Sequence, residues 1–299
     1  MCYNIIMEYI AAKTIVTKTK SSAWFGTDYN MNIYRGCSHG CIYCDSRSDC
    51  YRIEAFDRVR AKEDALRIIR DELARKVQTG VIGTGAMSDP YNPFEAEQKL
   101  TRHALELVHA FGFGIAITTK SPLVTRDIDV LCDIKRNAPA LVTLNITAAD
   151  DHLSKQIEPH VAPSSQRFAA VRKLSDAGLS TGVLLMPTLP FLTDTEENVL
   201  DIVHQAKESG ARFVFPAFGV TLRSGQREYF YHKLDQSFPR VKEKYIKRYG
   251  DRYNCSSVNA KRLYAVLAEA CHRLGLRYRM PQIVQDYKQG YAIDQLSLF

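Results

Sequence analysis

Residues 35–45 read Arg35-Gly36-Cys37-Ser38-His39-Gly40-Cys41-Ile42-Tyr43-Cys44-Asp45, a Cys-x3-Cys-x2-Cys run. Gly36 and Gly40 let a loop curl tightly, so that three thiols converge on one side. A helix would also bring cysteines at this spacing onto one face, but two glycines and the polar residues between them oppose it. Outward from the run, short β-branched stretches alternate with amphipathic ones. Strands are expected at Met31–Tyr34, Val81–Gly85, Gly114–Thr118, Leu141–Ile146, Thr181–Leu185 and Phe213–Ala217. Helices are expected near Lys62–Lys76, Thr101–Ala110, Asp127–Arg136, Ser164–Ser175 and Thr195–Ser209, with Gly178 and Gly210 placed to end two of them. Such repetition predicts an α/β fold with a parallel sheet and crossover helices. Six strands suit a partial (β/α)6 barrel better than a closed eight-fold one, with the chemistry at the C-terminal strand ends.

Three thiolates hold three irons of a 4Fe–4S cubane and leave the fourth open. S-adenosylmethionine (SAM) chelates such an iron through its amino and carboxylate groups. Reductive cleavage then gives methionine and a 5′-deoxyadenosyl radical, chemistry that the cofactors supply and the protein positions. A zinc site is the competing reading, and it needs a fourth ligand, for which Cys50 and His39 are the candidates.

The 299 residues are 45% hydrophobic and 24% charged, an ordinary globular composition. No stretch approaches the roughly 20 apolar residues of a spanning helix. Met1–Lys20 has neither the basic start nor the cleavage site of a secretory signal, so the expected compartment is the cytoplasm, with reduced cysteines. The net charge of +7 is uneven: residues 212–288 hold 16 Lys+Arg against 6 Asp+Glu. Aromatics are interleaved there, a mixture that suits a phosphate backbone with unstacked bases, as does a solvated basic face over an aromatic core. Past Ala217 the strand–helix rhythm breaks. The expected organisation is therefore an N-terminal extension (1–26), a barrel core (27–217), a basic appendage (218–289) with a helix over Asn259–Leu274, and a tail (290–299).

The cysteine run resembles that of the radical SAM superfamily, with Tyr43 in the aromatic position that faces SAM's adenine. More narrowly, the chain resembles the spore photoproduct lyase-like family. Gly85-Ala86-Met87-Ser88-Asp89-Pro90-Tyr91, Thr118-Thr119-Lys120-Ser121, Thr125-Arg126-Asp127 and Glu158-Pro159-His160 followed by Arg167 carry that likeness. The resemblance implies a barrel of the radical SAM type, a 4Fe–4S cluster on Cys37, Cys41 and Cys44, and SAM framed by Tyr43, Ser88, Asp89, Lys120 and Asn145. Lys120 is expected to meet the SAM carboxylate, and Arg167 to pair with Glu158. An external electron donor of flavodoxin or ferredoxin type is implied as well. One departure stands out: lyases proper carry a hydrogen-donating cysteine three residues before an Asp, where this chain has Ala86 before Asp89. Their thymine-dimer activity is not carried over, and Cys255, Cys132 or a tyrosine are the replacement candidates.

Gln295-Leu296-Ser297-Leu298-Phe299 resembles the bacterial sliding-clamp motif, in which Leu298 and Phe299 enter an apolar pocket, Leu296 assists and Gln295 bonds at the rim. The leading expectation is a radical SAM enzyme acting on DNA in lesion repair or base modification, with Arg223 and Arg227 helping to hold the strand. The rivals are the same chemistry on RNA, protein or a small molecule, and a non-enzymatic metal-bearing DNA accessory factor.

Overall fold

The β-branched stretches form the centre of the molecule, described for residues 7–291 in a computed structural model. The strands are β1 (Glu8–Ile10), β2 (Val16–Lys18), β3 (Tyr29–Met31), β4 (Tyr34–Arg35), β5 (Arg60–Lys62), β6 (Val81–Thr84), β7 (Gly114–Thr119), β8 (Ala140–Asn145), β9 (Ser180–Leu185), β10 (Val214–Pro216), β11 (Gly219–Thr221) and β12 (Asn254–Ser256). The helices are α1 (Ala65–Ala74), α2 (Glu95–Gln98), α3 (Leu100–Ala110), α4 (Ile128–Asn137), α5 (Asp151–Ile157), α6 (Ser164–Asp176), α7 (Glu196–Glu208), α8 (Gln226–Ser237), α9 (Val241–Tyr249), α10 (Ala260–Leu274) and α11 (Met280–Lys288). The main sheet runs β10-β9-β8-β7-β6-β3-β2, with β3 and β6 to β10 mutually parallel. This is the expected six-stranded (β/α) arrangement.

Strand alternation separates two cores. Ile115, Ile117, Val142, Leu144, Val183 and Leu185 face the crossover helices. Val81, Ala116, Leu141, Leu184 and Phe213 face the inside of the sheet's curve. Each crossover helix presents an apolar stripe to the first set; α1 buries Ala65, Ile69 and Leu73, four residues apart. Truncating the fully buried Ile69 to Ala would cost about 2–5 kcal/mol. Side-chain caps fix two helix starts: Asp150 accepts from Leu153 N at 2.7 Å, and Thr195 from Asn198 N at 3.1 Å.

Three expectations change. The first strand lies at Tyr29–Met31 rather than Met31–Tyr34, because Tyr34 leaves the main sheet to pair with Ala61 in a separate three-stranded sheet. The segment before residue 27 is part of the barrel: β2 extends the main sheet antiparallel to β3, and Phe25 is 1% exposed against Phe213 and Phe215. That ring spans the gap between the first and last parallel strands, which do not pair. The basic appendage is also divided. Leu263, Leu267, Ala270 and Cys271 of α10 join the outer core, while Ile283 and Tyr287 of α11 close the inner core. Tyr287 Oη donates to Phe25 O at 2.5 Å. Only α8, α9 and the β11–β12 ribbon stand apart, around a second core rich in aromatics. No helix among the described residues is long and apolar enough to cross a membrane.

Candidate active site

Between β4 and β5 the chain makes the cysteine loop. Gly36 and Gly40 take φ of +82° and +69°. A Cβ on Gly36 would stand 2.4 Å from Arg58 O, and one on Gly40 2.8 Å from the His160 ring. Both positions therefore demand glycine, for conformation and for space. Cys37 N donates to Phe56 O at 2.8 Å, and Ile42 N to Ile157 O at 3.0 Å. The loop is thus pinned to the end of α5, where the Glu158-Pro159-His160 segment begins.

Cys37, Cys41 and Cys44 are free thiols. Burial pushes Cys37 up to about 12 and raises Cys41 and Cys44, and Cys37 and Cys44 would repel Cys41 further if charged. Three thiols this close and this buried are neutral until a metal takes their protons. Neither candidate for a fourth zinc ligand joins them. The Cys50 sulfur is exposed and accepts from Arg223 Nη1 at 3.1 Å, and His39 Nδ1 lies 3.5 Å from Asp89 Oδ2. The donor set fits a cluster held at three corners rather than a four-coordinate ion.

Tyr43 and Cys44 line a cavity of about 420 Å³ at the C-terminal ends of the parallel strands. Its other walls include Gly85, Thr118, Lys120, Asn145 and Met186 from the strand ends, Trp24 from the β2–β3 connection, and Val220 and Thr221 from β11. Three expected residues, Tyr43, Lys120 and Asn145, therefore meet at one cavity. The Lys120 ammonium stands 5.8 Å from the Tyr43 ring centroid. Burial pulls its pKa down, but the negative charge of Cys41, Glu158 and Asp89 outweighs that, so it stays protonated. Asn145 Nδ2 donates to Met186 O at 3.3 Å.

Beneath the cavity Tyr43 Oη donates to Glu158, and Glu158 Oε2 pairs with Arg167 Nη2 at 2.6 Å. Arg167 is fully buried and also donates to Asn145 O and Ser154 Oγ, both at 2.7 Å. This is the expected Glu158–Arg167 pair, and it links the cysteine loop to the end of β8. Burial and the adjacent carboxylate raise the Tyr43 phenol well above its usual range, which keeps it a donor.

Other expected residues sit elsewhere. The Ser88 hydroxyl donates to Gly36 O at 2.5 Å. Both oxygens of Asp89 are engaged, Oδ1 accepting from Thr119 Oγ1 at 2.6 Å and Tyr91 N at 2.9 Å, and Oδ2 from Lys120 N at 2.8 Å. Neither residue lines the cavity; both hold the walls that do. Cys255 has no exposed surface, lies in the aromatic core behind Val220, and has its thiol raised by burial. It does not reach the cavity, which removes the geometric basis for a hydrogen donor there. Arg227 is committed to four carbonyls, those of Leu222, Gly250, Asp251 and Arg252, at 2.7–3.0 Å, so it braces the appendage instead of reaching for a phosphate. Arg223 remains at the surface, its guanidinium 4.9 Å from the Tyr253 ring and 5.6 Å from that of Tyr51. Residues 295–299 lie outside the described residues.

Sequence reasoning missed Gln226. Fully buried, it donates to Tyr43 O at 2.8 Å and Thr221 O at 2.7 Å, and so fastens the appendage to the cysteine loop. Its one available signal was an amide at the start of a helix. Trp24 and Asp45, both on the cavity wall, were likewise passed over.

The sequence model of the radical SAM superfamily matches residues 31–206. An uncharacterized protein of Mycobacterium tuberculosis is 28% identical over 255 residues, 82% of this chain and 74% of its own. Another, from Methanocaldococcus jannaschii, is 30% identical over 233 residues, 77% and 83% of the two chains. Spore photoproduct lyase complexed with dinucleoside spore photoproduct superposes with a TM-score of 0.65 at 15% identity, covering 91% of this chain and 81% of that one. With more than half its length matched and the sheet, cysteine loop and cavity in agreement, the chain belongs to the radical SAM superfamily, enzymes that use a 4Fe–4S cluster and SAM.

Proposed function

We propose that Cys37, Cys41 and Cys44 hold the 4Fe–4S cluster, that SAM binds in the adjoining cavity, and that the substrate is a nucleotide of DNA, in lesion repair or base modification. The observation that carries this reading is the cavity itself, which brings Tyr43 and Cys44 together with Lys120 and Asn145 at the strand ends. When bound, the cluster and SAM supply the one-electron cleavage that yields methionine and a 5′-deoxyadenosyl radical. The chain's own residues do the positioning. Lys120 offers a protonated amine to the SAM carboxylate as a point charge. Tyr43, fixed by Glu158, presents its ring to the adenine, and Asn145 offers its amide from the end of β8. Ala86 lines the cavity close to where a lyase cysteine would be, so the proposal does not extend to thymine-dimer reversal by that route.

DNA is supported by three observations. The basic appendage supplies one cavity wall through β11. Arg223 is flanked by Tyr51 and Tyr253 near that wall, an arrangement suited to phosphate and base together. A structural neighbour binds a dinucleoside photoproduct. The 295–299 motif adds a bacterial sliding clamp to the proposed partners.

The deciding experiment is anaerobic. The protein is reconstituted with iron and sulfide, given SAM and dithionite, and assayed for 5′-deoxyadenosine beside Cys41→Ala. Product in the parent and none in the variant is the expected result. A variant that retains its cluster and product would overturn the ligand assignment. DNA binding that is absent, or that does not weaken with salt, would overturn the substrate class.

A further inference from the structure

The cysteine loop is a partition between two hollows. Tyr43, Cys44, Asp45 and Ser46 line the cavity described above, whereas Gly40 and Ile42 line a second groove of about 450 Å³ that shares no residue with it. Lys155 and His160, at and beyond the end of α5, form one side of this groove, and Tyr229 and Lys233 of α8 form the other. Lys155 is exposed, and its ammonium is held in place by donation to Val161 O at 2.7 Å. Lys233 stands 5.6 Å from the Tyr229 ring. The one carboxylate in the lining, Asp57, is neutralised by Arg47, whose guanidinium stacks 3.9 Å from the same ring. The groove therefore carries net positive charge, opens to solvent, and is floored by the backbone of the loop that bears Cys41.

We propose that this groove docks an acidic protein that carries single electrons at low potential, so that electrons enter from the face opposite the substrate. The inference rests on the assignment of the cluster to Cys37, Cys41 and Cys44. Two facts favour a redox carrier over other acidic partners. The groove floor is one peptide thick at Gly40–Ile42, which keeps the transfer path short. SAM and substrate also fill the other side, so the carrier need not leave before chemistry begins. The transfer makes and breaks no bond: the carrier loses one electron and the cluster gains it. Opposite charge across such a surface speeds encounter and fixes orientation.

The test uses a bacterial flavodoxin as the probe, with the whole reconstituted enzyme and the charge-reversed variant Lys155→Glu/Lys233→Glu. Calorimetry should show flavodoxin affinity falling about tenfold or more in the variant, as for loss of a charged contact pair. Formation of 5′-deoxyadenosine driven by reduced flavodoxin should fall with it, while formation driven by dithionite should be unchanged. For the parent protein, raising salt from about 50 to 300 mM should slow only the flavodoxin-driven reaction, which keeps the proposal testable should the variant not fold. Unchanged flavodoxin affinity and flavodoxin-driven rate would overturn it, as would loss of DNA binding in place of flavodoxin binding. A Cys41→Ala protein that still cleaves SAM with dithionite would instead overturn the cluster assignment beneath it.

Discussion

Two buried clusters of the same three residue types lie on either side of the cysteine loop's anchor points. In one, Tyr43 donates to Glu158, which pairs with Arg167. In the other, Tyr34 donates to Glu95, which pairs with Arg126 Nη2 at 3.0 Å. The second is closed on itself. Glu95 also caps α3 through Thr101 N at 3.0 Å, and Arg126 and Arg102 both bind Asp127, with Arg102 reaching Asp129 at the surface. Its arginines are a fifth to a quarter exposed, so water shares the load. The first network is dry, with Glu158 at 1% exposure and Arg167 at 0%, and its tyrosine and Asn145 both open onto the cavity. Identical chemistry serves as a brace in one place and as the footing of a site in the other. What separates them is whether the network ends in solvent or in an enclosed space with polar groups still available.

That contrast can be broken most forcefully at the arginines. Arg167→Ala should destabilise the protein by about 3–5 kcal/mol, because it strands a buried carboxylate, whereas Arg126→Ala should cost only about 1–3 kcal/mol, since Glu95 keeps its amide donors. Urea titration of both variants checks this, and equal losses would erase the distinction. A sharper cut is Lys120→Met. SAM affinity should fall about tenfold, or about 1.4 kcal/mol, with the urea midpoint unchanged; a stability loss without an affinity loss would make Lys120 part of the scaffold. The smallest expected effect is on pH dependence. Burial alone would raise Glu158, but Arg167, Lys120 and the Tyr43 hydroxyl more than reverse that and hold it below the ordinary carboxylate range. A carboxylate depressed in the folded state stabilises it above the unfolded pKa, and that contribution is lost as pH falls through the folded value. Stability should therefore decline on the acid side of about pH 4.5, and Glu158→Gln should flatten that limb.

Much of the architecture was legible because it is local. The strands β6 to β10 follow from β-branched runs, the helices from apolar stripes, and the cysteine loop from its spacing and glycines. The failures are all long-range. Nothing in Met31-Asn32-Ile33-Tyr34 marks the point where the chain leaves one sheet for another, since both halves read as strand. The extension and appendage read as separate because their partners lie far away in sequence; Phe25 meets α11 more than 250 residues later, as the 262-residue separation of its bond with Tyr287 shows. Ser88 and Asp89 were placed at the correct strand end, but which way a side chain turns there is set by the neighbouring strand and by Gly36. Cys255 and Arg227 drew attention by residue type, and their partners, a hydrophobic core and four carbonyls, are invisible to type. Gln226 failed for the opposite reason, being an unremarkable amide whose importance lies wholly in what it touches.

Trp24 turns a packing detail into a practical property. It is the chain's single tryptophan, 39% exposed, edge-on to Phe25 and Phe215, and part of the cavity wall. A lone indole at that position is a built-in optical probe. Whatever enters the cavity alters the water and charge around one fluorophore, so occupancy can be followed by emission from the unlabelled protein, with no background from a second tryptophan.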